Sequence, residues 1–280
     1  MSTFKRIPYG DLRDQFGDLR LPEGEGPFPV AIVIHGGYWR AKLNLEHMNP
    51  LADALTAQGI ATWNIEFRRL GQEGGGWPGT FLDCSKAVDY VRTMAGDYPL
   101  DLDRVITVGH SAGGHLAVWS AARHNLPSDS LLRTGEEPLK LAGVVDIAGV
   151  CDLSLMHQVH RVREPIMGIN DNPTRELMGG SPAEKPVQYA EGSPSALLPI
   201  GVPMLIFHGA LDINVPVGMS EHFAQIARAA GDEVIYLTRV ETEHFQWIDP
   251  QTTACQEVIQ ATLRLLRQDE RYTIGANKTQ

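Results

Sequence analysis

Six short apolar runs along the chain predict the strands of a buried sheet. They are rich in Val and Ile, and they are apolar at nearly every position rather than at alternate positions. Near-continuous apolarity is typical of strands that are covered on both faces, as in a parallel sheet. The runs occupy residues 29–37, 60–68, 104–111, 141–149, 203–212 and 233–241.

The segments between these runs have apolar residues at three- and four-residue steps, which predicts helices. The predicted helices are Asn49 to Gln58, Thr80 to Ala95, Ala112 to Arg123, Val217 to Ala230 and Pro250 to Gln268. An early segment, 15–23, alternates like an exposed strand and could form an antiparallel edge. The alternation of strands and helices predicts one α/β domain over residues 1–280, with a mostly parallel, doubly wound sheet and helices on both faces.

Residues 153–199 depart from this rhythm and carry six prolines. Long irregular insertions in compact domains are usually lids or binding loops. We therefore expect an irregular cap or lid over a pocket. The alternative interpretation is a tolerated insertion at the surface.

Composition and charge narrow the class of partner. The 280 residues carry a formal net charge of −10 and include three cysteines without metal-ligand spacing. This balance gives no basic surface for nucleic acid or anionic lipid, and no apolar run is long enough for a signal peptide or a membrane span. We expect a cytoplasmic protein that acts on a small molecule and needs neither a metal nor another cofactor.

A serine between glycines carries the main chemical signal. Residues 109–113 read Gly-His-Ser-Ala-Gly, directly after a predicted strand and directly before a predicted helix. A sharp turn from strand to helix leaves no room for side chains two positions either side of its apex, so glycine stands at both. This context predicts that Ser111 projects from the carboxyl edge of the sheet as a nucleophile, where ligands of open α/β sheets bind. The alternative is a glycine-rich helix start without chemistry.

A serine nucleophile needs a base, and the base needs an acid that orients it. His244 follows the last apolar run, so its loop could bring the imidazole to Ser111. Asp212 follows the preceding run and completes the chain order Ser, Asp, His. Asp232 and Asp249 are weaker candidates for the acid. The remaining histidines, including His47 and His208 among others, are interpreted as structural.

The attacked carbonyl also requires donors for its developing negative oxygen. The segment Val33 to Arg40 ends an early strand with two adjacent glycines, which lets backbone N–H groups approach a ligand. We therefore predict the oxyanion donors to be the N–H groups of Gly37, Tyr38 and Ala112. A plain tight turn is the alternative for this segment.

Aromatic residues flank these positions in the sequence. Trp39 adjoins the predicted oxyanion turn, Trp77 lies in a glycine-rich segment, and Phe245 follows His244. Flat apolar walls would favour an aryl or short acyl substrate. Ordinary core packing is an equally good interpretation of each of them.

The motifs His35-Gly36-Gly37-Tyr38-Trp39 and Gly-His-Ser-Ala-Gly-Gly resemble those of α/β-hydrolase esterases of the kynurenine formamidase-like and acetyl-esterase-like group. The resemblance covers nearly the whole chain, from about Pro29 to Leu266. It implies a metal-free serine hydrolase that cleaves a small carboxylic ester or an aryl formamide through an acyl-enzyme, with Ser111, Asp212 and His244 as its triad.

Two rival classes of function remain open on the sequence. A ligand-binding member of the same fold would keep the shape without the reaction. Alternatively, the same triad could hydrolyse a lactone, a carbon–carbon bond or a peptide, because a fold does not fix the substrate.

Overall fold

The computed structural model describes residues 3–135 and 137–267, and a single eight-stranded sheet organises them. The strands are β1 Lys5–Pro8, β2 Phe16–Arg20, β3 Phe28–Ile34, β4 Ala61–Ile65, β5 Leu100–His110, β6 Gly143–Ile147, β7 Met204–Gly209 and β8 Val234–Arg239. Their order across the sheet is β1-β2-β4-β3-β5-β6-β7-β8. The strands from β4 to β8 in this order are parallel to each other, so their carboxyl ends share one edge.

Helices cover both faces of the sheet. Their bounds are α1 Asn49–Thr56, α2 Gly79–Asp89, α3 Val91–Met94, α4 Ala112–Ala122, α5 Leu153–Met167, α6 Pro173–Met178, α7 Pro186–Gly192, α8 Val217–Ala229 and α9 Thr253–Arg267. Consecutive strand residues face opposite layers: Ile32 packs in the core with α2, α4 and α8, whereas Val33 packs with α1 and α9. Two apolar layers explain why the core strands are apolar at every position.

The α/β fold expected from the sequence is confirmed, with differences at the first strands and in one helix. Segment 15–23 contains β2, which is antiparallel to both its neighbours, but β2 is an interior strand. The edge is β1, whose four residues KRIP are mostly exposed and show no apolar pattern. The helix predicted from Thr80 to Ala95 divides at Tyr90 into α2 and α3. The predicted end of the last helix, Gln268, lies outside the described residues.

The insertion at 153–199 is mainly helical, which corrects the expectation of an irregular segment. Asp152 caps the start of helix α5, and its side chain accepts a hydrogen bond from Leu155 N at 2.8 Å. Asn172 caps helix α6 in the same way, and Pro173 occupies the first position of that helix, where proline is well tolerated. Pro186 occupies the first position of α7 in the same way, so prolines of the insertion also mark helix starts.

Candidate active site

Ser111 stands at the apex of a strained turn between β5 and α4. Its φ angle is 58°, an unusual value for a residue with a side chain, and its relative exposure is 3%. A β-carbon at Gly109 would lie 2.0 Å from Gly113 O, and one at Gly113 would lie 2.1 Å from Ile34 O. The steric reason for glycine on both sides of the serine therefore operates in this fold.

Asp212 follows β7 and binds the imidazole of His244. His244 Nδ1 donates to Asp212 Oδ2 at 2.5 Å, and both side chains are buried. The other oxygen, Oδ1, accepts from the backbone N–H groups of Asn214 at 2.8 Å and Val215 at 2.9 Å. Burial raises the pKa of Asp212, but hydrogen bonds from His208 and His244 outweigh it and hold the pKa well below its usual value. The group is therefore a carboxylate near neutral pH.

His244 lies in the loop after β8, and His110 helps to hold that loop. His110 Nε2 donates to the backbone oxygen of His244 at 3.0 Å, and the two ring centroids are 4.4 Å apart. His110 Nδ1 then accepts from His47 Nε2 at 3.3 Å. Burial and the neighbouring imidazoles lower the pKa of His110 well below its usual range, so it stays neutral.

Ser111 and His244 line the same cavity, whose volume is about 630 Å³. Within the described residues, Ser111 Oγ forms no hydrogen bond with His244. The hydrogen bond between a nucleophile and its base is often long or poorly aligned until a substrate binds. Ser111 and His244 therefore remain candidates for such a pair. Tyr38, Leu43 and Phe245 give the cavity an apolar wall.

The turn after β3 borders this cavity. Gly37 and Tyr38 line it, and among the described residues their N–H groups donate no hydrogen bond. Ala112 is buried as the first residue of α4, so its N–H has no acceptor within the helix. Trp39 holds the turn, because its backbone oxygen accepts from Leu70 N at 2.7 Å and its indole N–H donates to the buried His115.

The aromatic residues expected around the pocket divide into two groups. Phe245 lines the cavity and is 46% exposed. Trp39 is fully buried and its Nε1 donates to His115 Nδ1 at 3.2 Å, so it does not line the cavity. Trp77 packs its ring against Phe81 at 5.3 Å and also lies outside the lining. Core packing therefore accounts for both tryptophans.

The two weaker candidates for the acid, Asp249 and Asp232, form their hydrogen bonds away from His244. Asp249 is exposed and accepts from Gln251 N at 3.0 Å, where it supports the start of the last helix. Asp232 accepts from the backbone N–H groups of Ile200 and Gly201, both at 2.8 Å. Neither carboxylate contacts His244.

Sequence reasoning missed several residues of the site. His208 donates to Asp212, and His47 lines the cavity, although both had been interpreted as purely structural. Asp171 reaches the cavity from the insertion and pairs with Arg40 at 2.5 Å. His208 could have been found from its position four residues before Asp212 at a strand end. No comparable signal marks Asp171, because its place depends on how the insertion folds back.

Across residues 3–135 and 137–267, no group of three or more His, Cys, Asp or Glu side chains is arranged to hold a metal ion. None of the helices in these ranges has the length and apolarity that a bilayer span requires.

The mostly parallel sheet, the serine at a strand-to-helix elbow and the Asp–His pair at the same edge define an α/β-hydrolase fold. The family model BD-FAE matches residues 18–226. The chain therefore belongs to the BD-FAE family of α/β-hydrolase esterases.

Relatives of this chain carry esterase names. Esterase LipQ of Mycobacterium tuberculosis is 26% identical over 97% of this chain and 64% of its own length. Isoprenylcysteine alpha-carbonyl methylesterase ICME of Arabidopsis thaliana is 25% identical over 86% of this chain and 57% of its own length. The chain thus spans less than two thirds of either relative.

Solved structures share the fold over almost the whole chain. A truncated carbohydrate esterase from gut microbiota has a TM-score of 0.79 and 23% identity, covering 95% of this chain and 97% of its own. The thermophilic esterase Est2 of Thermogutta terrifontis, in its propionate-bound form, has a TM-score of 0.74 and 20% identity, covering 95% and 94%. At these identities the likeness concerns the fold.

Proposed function

We propose that this protein is a serine carboxylesterase with Ser111 as nucleophile, His244 as general base and Asp212 as the acid that orients the base. The observation that carries the proposal is that Ser111 and His244 line one cavity, while His244 Nδ1 lies 2.5 Å from Asp212 Oδ2. The esterase names of the relatives support the same reaction class.

The reaction begins when His244 Nε2 takes the proton of Ser111 Oγ as this oxygen attacks the ester carbonyl carbon. The N–H groups of Gly37, Tyr38 and Ala112 stabilise the negative oxygen of the tetrahedral intermediate. Each such donor is typically worth about 10²–10³ in rate. His244 then gives the proton to the leaving alcohol, and an acyl-enzyme on Ser111 remains. In the second half, His244 deprotonates a water that attacks the acyl carbon, and the acid is released.

We also propose that residues 153–199 act as a cap over the cavity. Arg163 of α5 donates to Asn214 O at 2.8 Å, and Tyr38 donates to the same oxygen at 2.7 Å. Asp171, between α5 and α6, lines the cavity and pairs with Arg40. The insertion is thereby joined to the oxyanion turn and to the loop that carries the acid, which favours a role in substrate selection.

Short acyl esters and aryl formamides are the two substrate classes that the cavity favours. Its volume of about 630 Å³ suits a small substrate, and the rings of Tyr38 and Phe245 offer an apolar wall for an aryl group. A comparison of kcat/KM for p-nitrophenyl esters of rising acyl length with that for N-formylkynurenine separates the two. A higher kcat/KM for short esters supports the carboxylesterase, and a higher value for the formamide transfers the proposal to amide cleavage.

The test of the reaction itself is the Ser111→Ala variant. We expect it to fold normally, by circular dichroism, and to lose hydrolysis of p-nitrophenyl acetate. Ser120→Ala is the matched control, because the Ser120 hydroxyl donates to Leu116 O within α4 and does not line the cavity. Wild-type turnover by Ser111→Ala would remove the proposal.

A further inference from the structure

Asp212 receives a second imidazole besides that of His244. His208, at the end of β7, is fully buried, and its Nε2 lies 3.0 Å from Asp212 Oδ2. This is the same oxygen that accepts from His244 Nδ1. His208 therefore contacts Asp212 at the same oxygen that binds the imidazole of His244.

The surroundings of His208 fix which ring nitrogen carries the proton. Nε2 faces two oxygen acceptors, Asp212 Oδ2 and Val215 O, both at 3.0 Å. Nδ1 lies 2.7 Å from the hydroxyl of Ser220 in α8, and Ser220 is also buried. A lone pair on Nε2 would face two electron-rich oxygens, so Nε2 carries the hydrogen and Ser220 donates to Nδ1.

With His208 in place, Asp212 has a donor for each of its accepting positions. Oδ1 takes two backbone N–H groups, and Oδ2 takes two imidazole N–H groups. A carboxylate offers about four such positions, and a group with all of them occupied has one preferred orientation.

We propose that His208 is a positioning residue that holds the Asp212 carboxylate in the orientation His244 requires, with Ser220 fixing the ring by donating to its Nδ1. This inference rests on the proposed function, because it assigns a role within the same site. It predicts that catalysis by Ser111, His244 and Asp212 also depends on the buried hydrogen bond between His208 and Ser220 of α8.

Two variants of His208 separate positioning from packing. His208→Leu removes the donor, and His208→Gln keeps an amide N–H at a similar distance from the backbone. We expect His208→Leu to lower kcat for p-nitrophenyl acetate by about 10- to 100-fold at nearly constant KM, the range found for residues that orient metal ligands. His208→Gln should restore most of kcat. His222→Leu, an exposed histidine on α8, is the matched control and should match the wild type.

A spectroscopic measurement follows the contact directly. The Nδ1 proton of His244 should give a low-field proton NMR signal, identified by its loss in Asp212→Asn. We expect the signal to shift in His208→Leu and to return in His208→Gln. A merely structural role for His208 would leave the signal of the folded His208→Leu variant unchanged.

Ser220→Ala keeps the test decisive if His208→Leu does not fold. It retains the imidazole and removes only the hydroxyl that donates to Nδ1 and holds the ring in place, so we expect kcat to fall by about threefold or more. Wild-type kcat in Ser220→Ala, or equal losses in His208→Gln and His208→Leu, would contradict the proposal. These results are distinct from failure of the proposed function, in which Ser111→Ala would still hydrolyse the ester.

Discussion

Asp212 carries a buried negative charge at this site. Its carboxylate is buried and held by two backbone donors and two imidazoles. A buried charge is stable only where its hydrogen-bonding positions are satisfied, and here they also align His244. In the proposed mechanism, the orientation of His244 thus depends on contacts of Asp212 that do not themselves touch the substrate.

At the residue scale, Asp212→Asn tests this dependence. An amide keeps the shape but cannot accept from the two backbone N–H groups and both imidazoles at once. With its NH2 group turned to the imidazoles, His244 adopts a tautomer whose Nε2 cannot take the Ser111 proton. We expect kcat for p-nitrophenyl acetate to fall by about 10⁴-fold, the loss known for this change in another serine hydrolase. Asp249→Asn is the control, because Asp249 is exposed and its side chain accepts from Gln251 N, just before the last helix. A loss of less than tenfold in Asp212→Asn would contradict the assigned role.

The places of some single residues in the fold could be predicted from the sequence because these residues follow a strand. Ser111, Asp212 and His244 each follow an apolar run, and parallel strands bring their carboxyl ends to one edge. Trp39 and Trp77 could not be assigned, since an aromatic next to a motif can face either the cavity or the core. Only packing decides between the two.

At the element scale, the turn after β3 is shaped by strained backbone. Gly37, Tyr38 and Trp39 have φ angles of 110°, 51° and 56°. The buried indole of Trp39 and the contact of Arg40 N with Gly37 O at 3.0 Å keep this turn in place. The turn thereby places two successive residues with unpaired N–H groups at the cavity, among the described residues, as the proposed oxyanion role requires.

Gly37→Ala should disturb this turn selectively. A β-carbon there would have an unfavourable φ and would lie 2.8 Å from Leu43 Cβ, so the N–H groups must move. We expect kcat for p-nitrophenyl acetate to fall by about 10²-fold with little change in KM, since the donors act in the transition state. Gly59→Ala controls for strain: its φ is 89°, the space around it is open, and it precedes β4 at the opposite end of the sheet. Equal kinetics of the two variants would contradict the oxyanion role.

Other elements show where pattern reading is insufficient. The main strands and helices follow from apolar periodicity, whereas β1 is too short and too polar to produce such a pattern. In the insertion, Asn172 before Pro173 is a helix-start signal that the high proline content obscured. Its contacts with the rest of the site depend on tertiary packing, which local sequence does not encode.

At the scale of the whole molecule, several histidines are buried as neutral groups. Burial lowers the pKa of His115 and His160 to about 4 and that of His110 well below its usual range. Burial acts oppositely on Asp146 and raises its pKa to about 6. Folding is therefore coupled to proton binding. The histidines favour proton binding by the unfolded chain, and they outnumber Asp146, which favours proton binding by the folded chain.

Stability should consequently decrease as the pH falls from about 7 to 5. Unfolded histidines bind protons below about pH 6.5, and the folded ones do not until about pH 4, so each costs about 1.4 kcal/mol per pH unit in that window. Asp146 opposes one of them, because its folded form binds a proton below about pH 6. Urea unfolding at several pH values measures the slope, and His160→Gln should reduce it by about one proton. A free energy of unfolding that stays constant or rises on acidification would contradict this prediction.

The central claim concerns Ser111, and covalent labelling tests it most directly. A fluorophosphonate reacts with a serine only when a base activates it. We expect mass spectrometry to find one adduct per chain, on the peptide that contains Ser111, and none in Ser111→Ala. An unlabelled wild-type protein, or an adduct that persists in Ser111→Ala, would contradict the account.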